Sequence, residues 1–113
     1  MSCLVSHTSV DCRNAYDLSE WWKGLLGYTD IEGDPNAPGH EECMIQDPQT
    51  GHRILFIEVP EPKQVKNRIH WDVLGNAEGL VEAGSTLLRP RGSRRPWDVL
   101  ADPEGNEFCV FRP

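Results

Sequence analysis

Two of the four histidines in this chain recur in the same setting. His7 opens the run His7-Thr8-Ser9-Val10, and His70 opens His70-Trp71-Asp72-Val73. An imidazole is a common metal ligand and a proton carrier near neutral pH. Each histidine is followed by a helix-like segment, an Asp-Pro turn and an apolar run. The first half closes on Asp47-Pro48-Gln49-Thr50-Gly51 and Ile54-Leu55-Phe56-Ile57, the second on Asp102-Pro103-Glu104-Gly105 and Phe108-Cys109-Val110-Phe111. Glu58 and Glu107 border the closing runs. Two histidines with one or two carboxylates would suit a catalytic zinc, nickel or iron site. Cys109 offers a further route, as a zinc thiolate. The plainer reading of His7 and His70 is a pair of rings hydrogen-bonded inside a small polar cavity without metal.

These groups can act together only if the elements that carry them repeat. Internal repetition constrains the whole architecture, and two copies suit a duplication inside one domain better than a solenoid. Leu4 to Cys12 reads as a strand. Asn14 with Asp17 resembles a capping box, and Ala15, Leu18, Trp22 and Leu25 make one helical stripe. Gly27 ends that helix in the left-handed conformation. Short strands follow over Tyr28–Glu32, Glu41–Gln46 and Arg53–Val59, separated by a Pro/Gly-rich loop, 33–40, and the first Asp-Pro turn. Residues 60–67 form a polar connector. The second half repeats the order with a strand over Arg68–Leu74, a short helix over Asn76–Ala83 ended by Gly84, and strands over Thr86–Arg89, Trp97–Ala101 and Asn106–Phe111. Gly79 weakens the second helix by roughly 1 kcal/mol relative to Ala.

The 113 residues, 38% hydrophobic and 26% charged, make one globular domain, with a first module over about 3–59 and a second over about 68–113. A net charge of −7 disfavours nucleic acid as a partner. One stretch is locally basic, Arg89-Pro90-Arg91-Gly92-Ser93-Arg94-Arg95. It is either a solvated loop or a cationic rim for an anionic ligand. Cys3, Cys12, Cys43 and Cys109 show no paired spacing for a zinc knuckle or redox motif. No basic segment followed by an apolar core opens the chain, and no apolar stretch reaches the ~20 residues that span a bilayer. A cytoplasmic protein with reduced thiols and no membrane partner is expected. No Gly-x-Ser-x-Gly elbow supports nucleophilic catalysis, and no Gly-rich phosphate loop supports a nucleotide cofactor.

With the repeat in hand, the chain resembles the vicinal oxygen chelate superfamily and, within it, the glyoxalase-like (glyoxalase/bleomycin-resistance) domain. The matching stretches are His7-Thr8-Ser9-Val10-Asp11-Cys12, Trp21-Trp22-Lys23-Gly24-Leu25-Leu26-Gly27-Tyr28, Val59-Pro60-Glu61-Pro62-Lys63, Asn67-Arg68-Ile69-His70, and Ala101 through Cys109. The resemblance implies an α+β fold of two tandem βαβββ modules, curved mixed sheets around a central cavity. It implies a divalent metal held by one ligand from each module's first strand and one from each last strand. The first-strand positions match His7 and His70, which should then face each other. The last-strand positions fall at Cys109 and near Phe56, neither of them a carboxylate. A register slid by two would bring Glu107 or Glu58 to the same face instead.

Two functions follow from the resemblance. The first is a metal-dependent lyase or isomerase acting on a small oxygenated substrate, with His7 and His70 holding zinc, nickel or iron and Glu58 or Glu107 as ligand or base. A ring-cleaving dioxygenase ranks below it, because the chain is short and poor in further histidines. The second is a metal-free protein that binds a drug or aromatic ligand against Phe56, Trp71, Trp97 and Cys109. Phe108 is expected in the core or cavity wall, and His40 and His52 at the surface. A homodimer is expected, since exposed sheet edges invite pairing, with Trp21, Leu80 and Val81 as its apolar contacts.

Overall fold

The computed structural model describes residues 2–113. The chain divides into two compact units, Met1–Pro62 and Lys63–Pro113, and each is a βαβββ module with one mixed four-stranded sheet.

The first unit runs β1 (Thr8–Cys12), α1 (Ala15–Leu26), β2 (Thr29–Asp30), β3 (Glu42–Gln46) and β4 (Arg53–Glu58). Asn14 caps α1 as the sequence predicts: its side-chain oxygen accepts from the Asp17 N–H at 2.9 Å, and its amide donates to the Asp17 carboxylate at 3.0 Å. Gly27 ends the helix at φ 70°, a left-handed turn that any side chain would strain. The sheet order β1-β4-β3-β2 places β1 parallel to β4 and β3 antiparallel to it. Alternation sorts the faces. Cys43 pairs with Phe56 and Ile45 with Ile54, and these four are buried with Ala15, Leu18 and Trp22 of α1. Leu55 and Ile57 turn to the opposite face. A salt bridge from Lys23 to Asp30 at 3.1 Å ties the end of α1 to β2, and Asn36 bridges Asp30 to the Met44 carbonyl.

The second unit runs β5 (Asp72–Leu74), α2 (Ala77–Glu82), β6 (Thr86–Arg89), β7 (Trp97–Ala101) and β8 (Glu107–Phe111), in the sheet order β5-β8-β7-β6. Asn76 caps α2 by accepting from the Gly79 N–H at 3.1 Å. The helix has six residues and buries only Ala77 and Leu80, while all of β6 is exposed. Leu100 pairs with Phe108 and Asp98 with Val110 on the buried face.

Several expectations are corrected. The first strands are shorter than the sequence suggested, so His7 and His70 both lie just ahead of them, and β2 covers only two residues. Leu80, expected at a subunit contact, is 6% exposed and serves the core of its own unit. Trp21 is half-buried edge-on against Trp22, and Val81 remains exposed. Among the described residues, no helix is long and apolar enough to cross a membrane.

Candidate metal centre

The Asp-Pro turns fix which residues of the two repeats correspond. Asp47 N–H donates to the His52 carbonyl at 2.8 Å, and Asp102 N–H to the Asn106 carbonyl at 2.9 Å. Each aspartate also folds its side chain back onto the turn. Asp47 accepts from the Gln49 N–H and Asp102 from the Glu104 N–H. The hairpins then close on Gln46 with Arg53 and on Ala101 with Glu107. Arg53 is therefore equivalent to Glu107, and Leu55 to Cys109. The parallel ladders agree, pairing Ser9 with Leu55 and Asp72 with Cys109. Ser9 is the counterpart of Asp72, and His7 of His70.

This register corrects one expectation. The first-unit counterpart of Cys109 is Leu55, not Phe56, and a one-residue slip reverses the face. Phe56 is fully buried on the helix-backed side, among the partners of α1. Phe108 is likewise core, at 1% exposed. Trp71 is half-buried. Its carbonyl accepts from the Cys109 N–H at 2.9 Å.

In the second unit the equivalent positions converge. One ligand atom each of His70, Asp72 and Cys109 lies within 4.8 Å of the others. His70 Nδ1 is 3.3 Å from Asp72 Oδ1. A tetrahedral ion with bonds of about 2.0–2.3 Å needs donors roughly 3.3–3.8 Å apart, so small side-chain adjustments complete the set. Imidazole, carboxylate and thiolate suit zinc, nickel or iron, and the sulfur disfavours magnesium and calcium. A divalent metal therefore fits these three residues, with a fourth position left for water or a ligand oxygen. Cys109 is buried, while His70 and Asp72 are exposed, so the site would open outward. Burial pushes the Cys109 thiol up, and the neighbouring Asp72 carboxylate pushes it further; Lys66 and Arg95 pull the other way.

Sequence reasoning expected His70 and named Cys109, but it missed Asp72. The signal was present: His70-x-Asp72 at the head of a strand puts both side chains on one face. The first unit offers His7, Ser9 and Leu55 at these positions. His7 is half-buried, with Nδ1 3.0 Å from the Ser6 hydroxyl.

The two glutamates are placed differently. Glu58 is exposed at the end of β4, opposite Cys12. Glu107 is the centre of a clamp. Its carboxylate accepts from Lys63 Nζ at 3.0 Å and from the Asn67 N–H at 3.1 Å. Its backbone N–H donates to Asn67 Oδ1 at 2.8 Å, while the Asn67 amide returns a bond to its carbonyl. Asn67 thus imitates a strand neighbour and extends the ladder ahead of β5. Burial would raise the Glu107 carboxyl, but the bonds from Asn67 and Lys63 outweigh it and hold it below the usual range. The clamp fixes the segment that delivers His70. His40 and His52 are exposed as expected, and His52 pairs with the Tyr28 hydroxyl at 2.9 Å.

A glyoxalase-like domain profile matches residues 7–111. Three solved structures share the fold. A possible glyoxalase from Bacillus cereus is 14% identical with a TM-score of 0.70, over 97% of this chain and 99% of that one. A glyoxalase/bleomycin resistance protein/dioxygenase family enzyme from Burkholderia phytofirmans PsJN is 21% identical with a TM-score of 0.65, covering 95% and 96%. The fosfomycin resistance protein FosX from Mesorhizobium loti is 13% identical with a TM-score of 0.67, covering 98% and 92%. No curated protein matches the sequence. At these identities the structures speak for the fold alone, and the profile, matched across both repeated units, speaks for the family: the chain belongs to the glyoxalase-like domain family.

Proposed function

We propose that this domain acts on a small oxygenated molecule through a divalent ion held by His70, Asp72 and Cys109, as a lyase or isomerase. The convergence of those three donors within 4.8 Å carries the reading. A bound ion supplies Lewis-acid polarisation of a substrate oxygen at its open position. The chain's own residues do the rest. Asp72 and His70 present one edge of the site, and Cys109 anchors it from the buried strand. Glu107, Lys63 and Asn67 hold the approach to His70 rigid, which makes Glu107 a positioning residue. Its ion pair keeps it charged and lowers its strength as a base.

The reading is in keeping with the proteins that share the fold, among them a possible glyoxalase and a fosfomycin resistance protein. A second reading, a metal-free binder of an aromatic ligand, draws support from the first unit, where Ser9 and Leu55 replace the carboxylate and thiol. Titration of chelator-treated protein with zinc and nickel, followed by calorimetry, separates the two. The enzyme reading expects saturable binding that falls at least about 100-fold in Cys109→Ala, a loss of ~2.7 kcal/mol. His7→Ala tests whether the first histidine contributes: an unchanged affinity assigns the ion to the second unit alone. Absence of saturable binding in the unsubstituted protein would leave the binder.

A further inference from the structure

The face of the second sheet that carries the metal-ligand trio also carries an aromatic row. Trp97 and Phe111 are cross-strand partners, with ring centroids 5.4 Å apart and planes tilted by 31°. Phe111 follows Cys109 by two residues on β8, so both point to one side, about 7 Å apart at the usual strand rise. Leu74 pairs with Phe111 from β5 and is 74% exposed, leaving the row open at that end. Both rings are only half-buried.

A cation is fixed beside this row. The Arg95 guanidinium lies 5.9 Å from the Trp97 ring centroid. Nη1 donates to the Trp97 carbonyl at 3.0 Å and Nη2 to the Pro90 carbonyl at 2.8 Å. The loop that holds it is itself tied down. Gly92 and Arg95 exchange backbone hydrogen bonds, and the Arg91 N–H donates to the buried Asp98 carboxylate at 2.8 Å. Two of the five guanidinium N–H donors are thus accounted for, which leaves donors for an anion. An arginine held this way loses little freedom when it binds a carboxylate. Of the four arginines at 89–95, Arg95 alone is half-buried; Arg89, at the end of β6, and Arg91 and Arg94 in the loop are exposed.

We infer that Trp97, Phe111 and Arg95 select a small aromatic carboxylate, its ring against the aromatic row and its carboxylate on Arg95. This rests on reading the face as a small-molecule site, and it names the ligand class. The ring contributes edge or offset contact with Trp97 and Phe111, and the carboxylate makes a charge-assisted bond.

The test is a calorimetric titration of the full chain in chelator with three probes: phenylacetate, cyclohexylacetate and phenylacetamide. Phenylacetate should bind saturably, and each of the others about tenfold more weakly, one lacking the π face and one the charge. Arg95→Gln should weaken phenylacetate about tenfold, and Arg95→Lys should recover part of that. Because Arg95 also braces its loop, Trp97→Leu gives a second arm with the same expected loss, and thermal unfolding of each variant reports whether the unit stays folded. Equal affinity for all three probes would overturn the assignment, as would phenylacetate binding within twofold of wild type in both Arg95→Gln and Trp97→Leu. No saturable phenylacetate binding would overturn it as well. Since no metal is present, that failure would leave zinc binding by the trio standing, and a failed zinc titration would leave this result standing.

Discussion

The two units share one strand order and one turn chemistry, yet they cover their sheets differently. In the first, the twelve residues of α1 bury Ala15, Leu18, Ser19 and Trp22 against Cys43, Ile45, Ile54 and Phe56. In the second, the six residues of α2 bury two side chains, and Leu87 and Leu88 on β6 stay 45% and 46% exposed. The polar donors sit on the thinly covered unit. Equivalent positions read Ser9 and Leu55 in one copy, Asp72 and Cys109 in the other. A duplicated scaffold can hold its register through turns and ladders while its two copies diverge in use. Functional groups also tend to come from the less stable parts of a fold, and here the division follows the helix length.

The largest expected effect would break the comparison on the stability side. Trp22→Ala, at 1% exposed, should cost about 3–5 kcal/mol. Leu80→Ala should cost about 2 kcal/mol, the low end for buried leucine, because a six-residue helix can collapse toward the gap. Urea denaturation of both variants checks this, and equal losses would contradict the asymmetry.

The Glu107 clamp comes next, since Arg53 holds the equivalent place in the first unit and carries the opposite charge. Glu107→Gln should destabilise by about 1–2 kcal/mol at neutral pH. The folded carboxyl lies below its ordinary value, so its contribution is fully present above the unfolded value. It is lost as pH falls through the depressed folded one. The stability gap between variant and wild type should therefore be flat near neutrality and close in acid. Denaturation midpoints from pH 7 down to pH 3 would show it, and a gap independent of pH would remove the clamp from the account.

The smallest effects concern the caps. Asn14→Ala should cost about 1 kcal/mol and Asn76→Ala about half of that, because α2 has less helix to lose. Circular dichroism during urea melts measures both.

Much of this was legible in the sequence because it rests on local rules. The caps at Asn14 and Asn76, the break at Gly27, and the strands Thr86–Arg89 and Trp97–Ala101 all follow from propensity and turn chemistry. The weakness of the second helix was also readable, from Gly79 and its length. What escaped depended on register. Four residues beyond the turn glycine lies Cys109 in one copy and Leu55 in the other, so the match was within reach of a count along the sequence, and the paired ladders bear it out. Asp72 joins the cluster because the parallel ladder sets it beside Cys109, a pairing between strands 37 positions apart that no local pattern encodes. Glu107 could be placed on the right face by alternation, but its engagement with Lys63 and Asn67 is a contact between segments far apart in sequence, which no pattern along the chain encodes.

The central claim is that the second unit alone holds the ion, through His70, Asp72 and Cys109. It is tested most directly by exchanging the two copies' residues and counting zinc by calorimetry. Wild type should bind one zinc per chain, Asp72→Ser with Cys109→Leu should abolish it, and Ser9→Asp with Leu55→Cys should add a second. Unchanged zinc affinity after Asp72 and Cys109 take their first-unit identities would contradict the account.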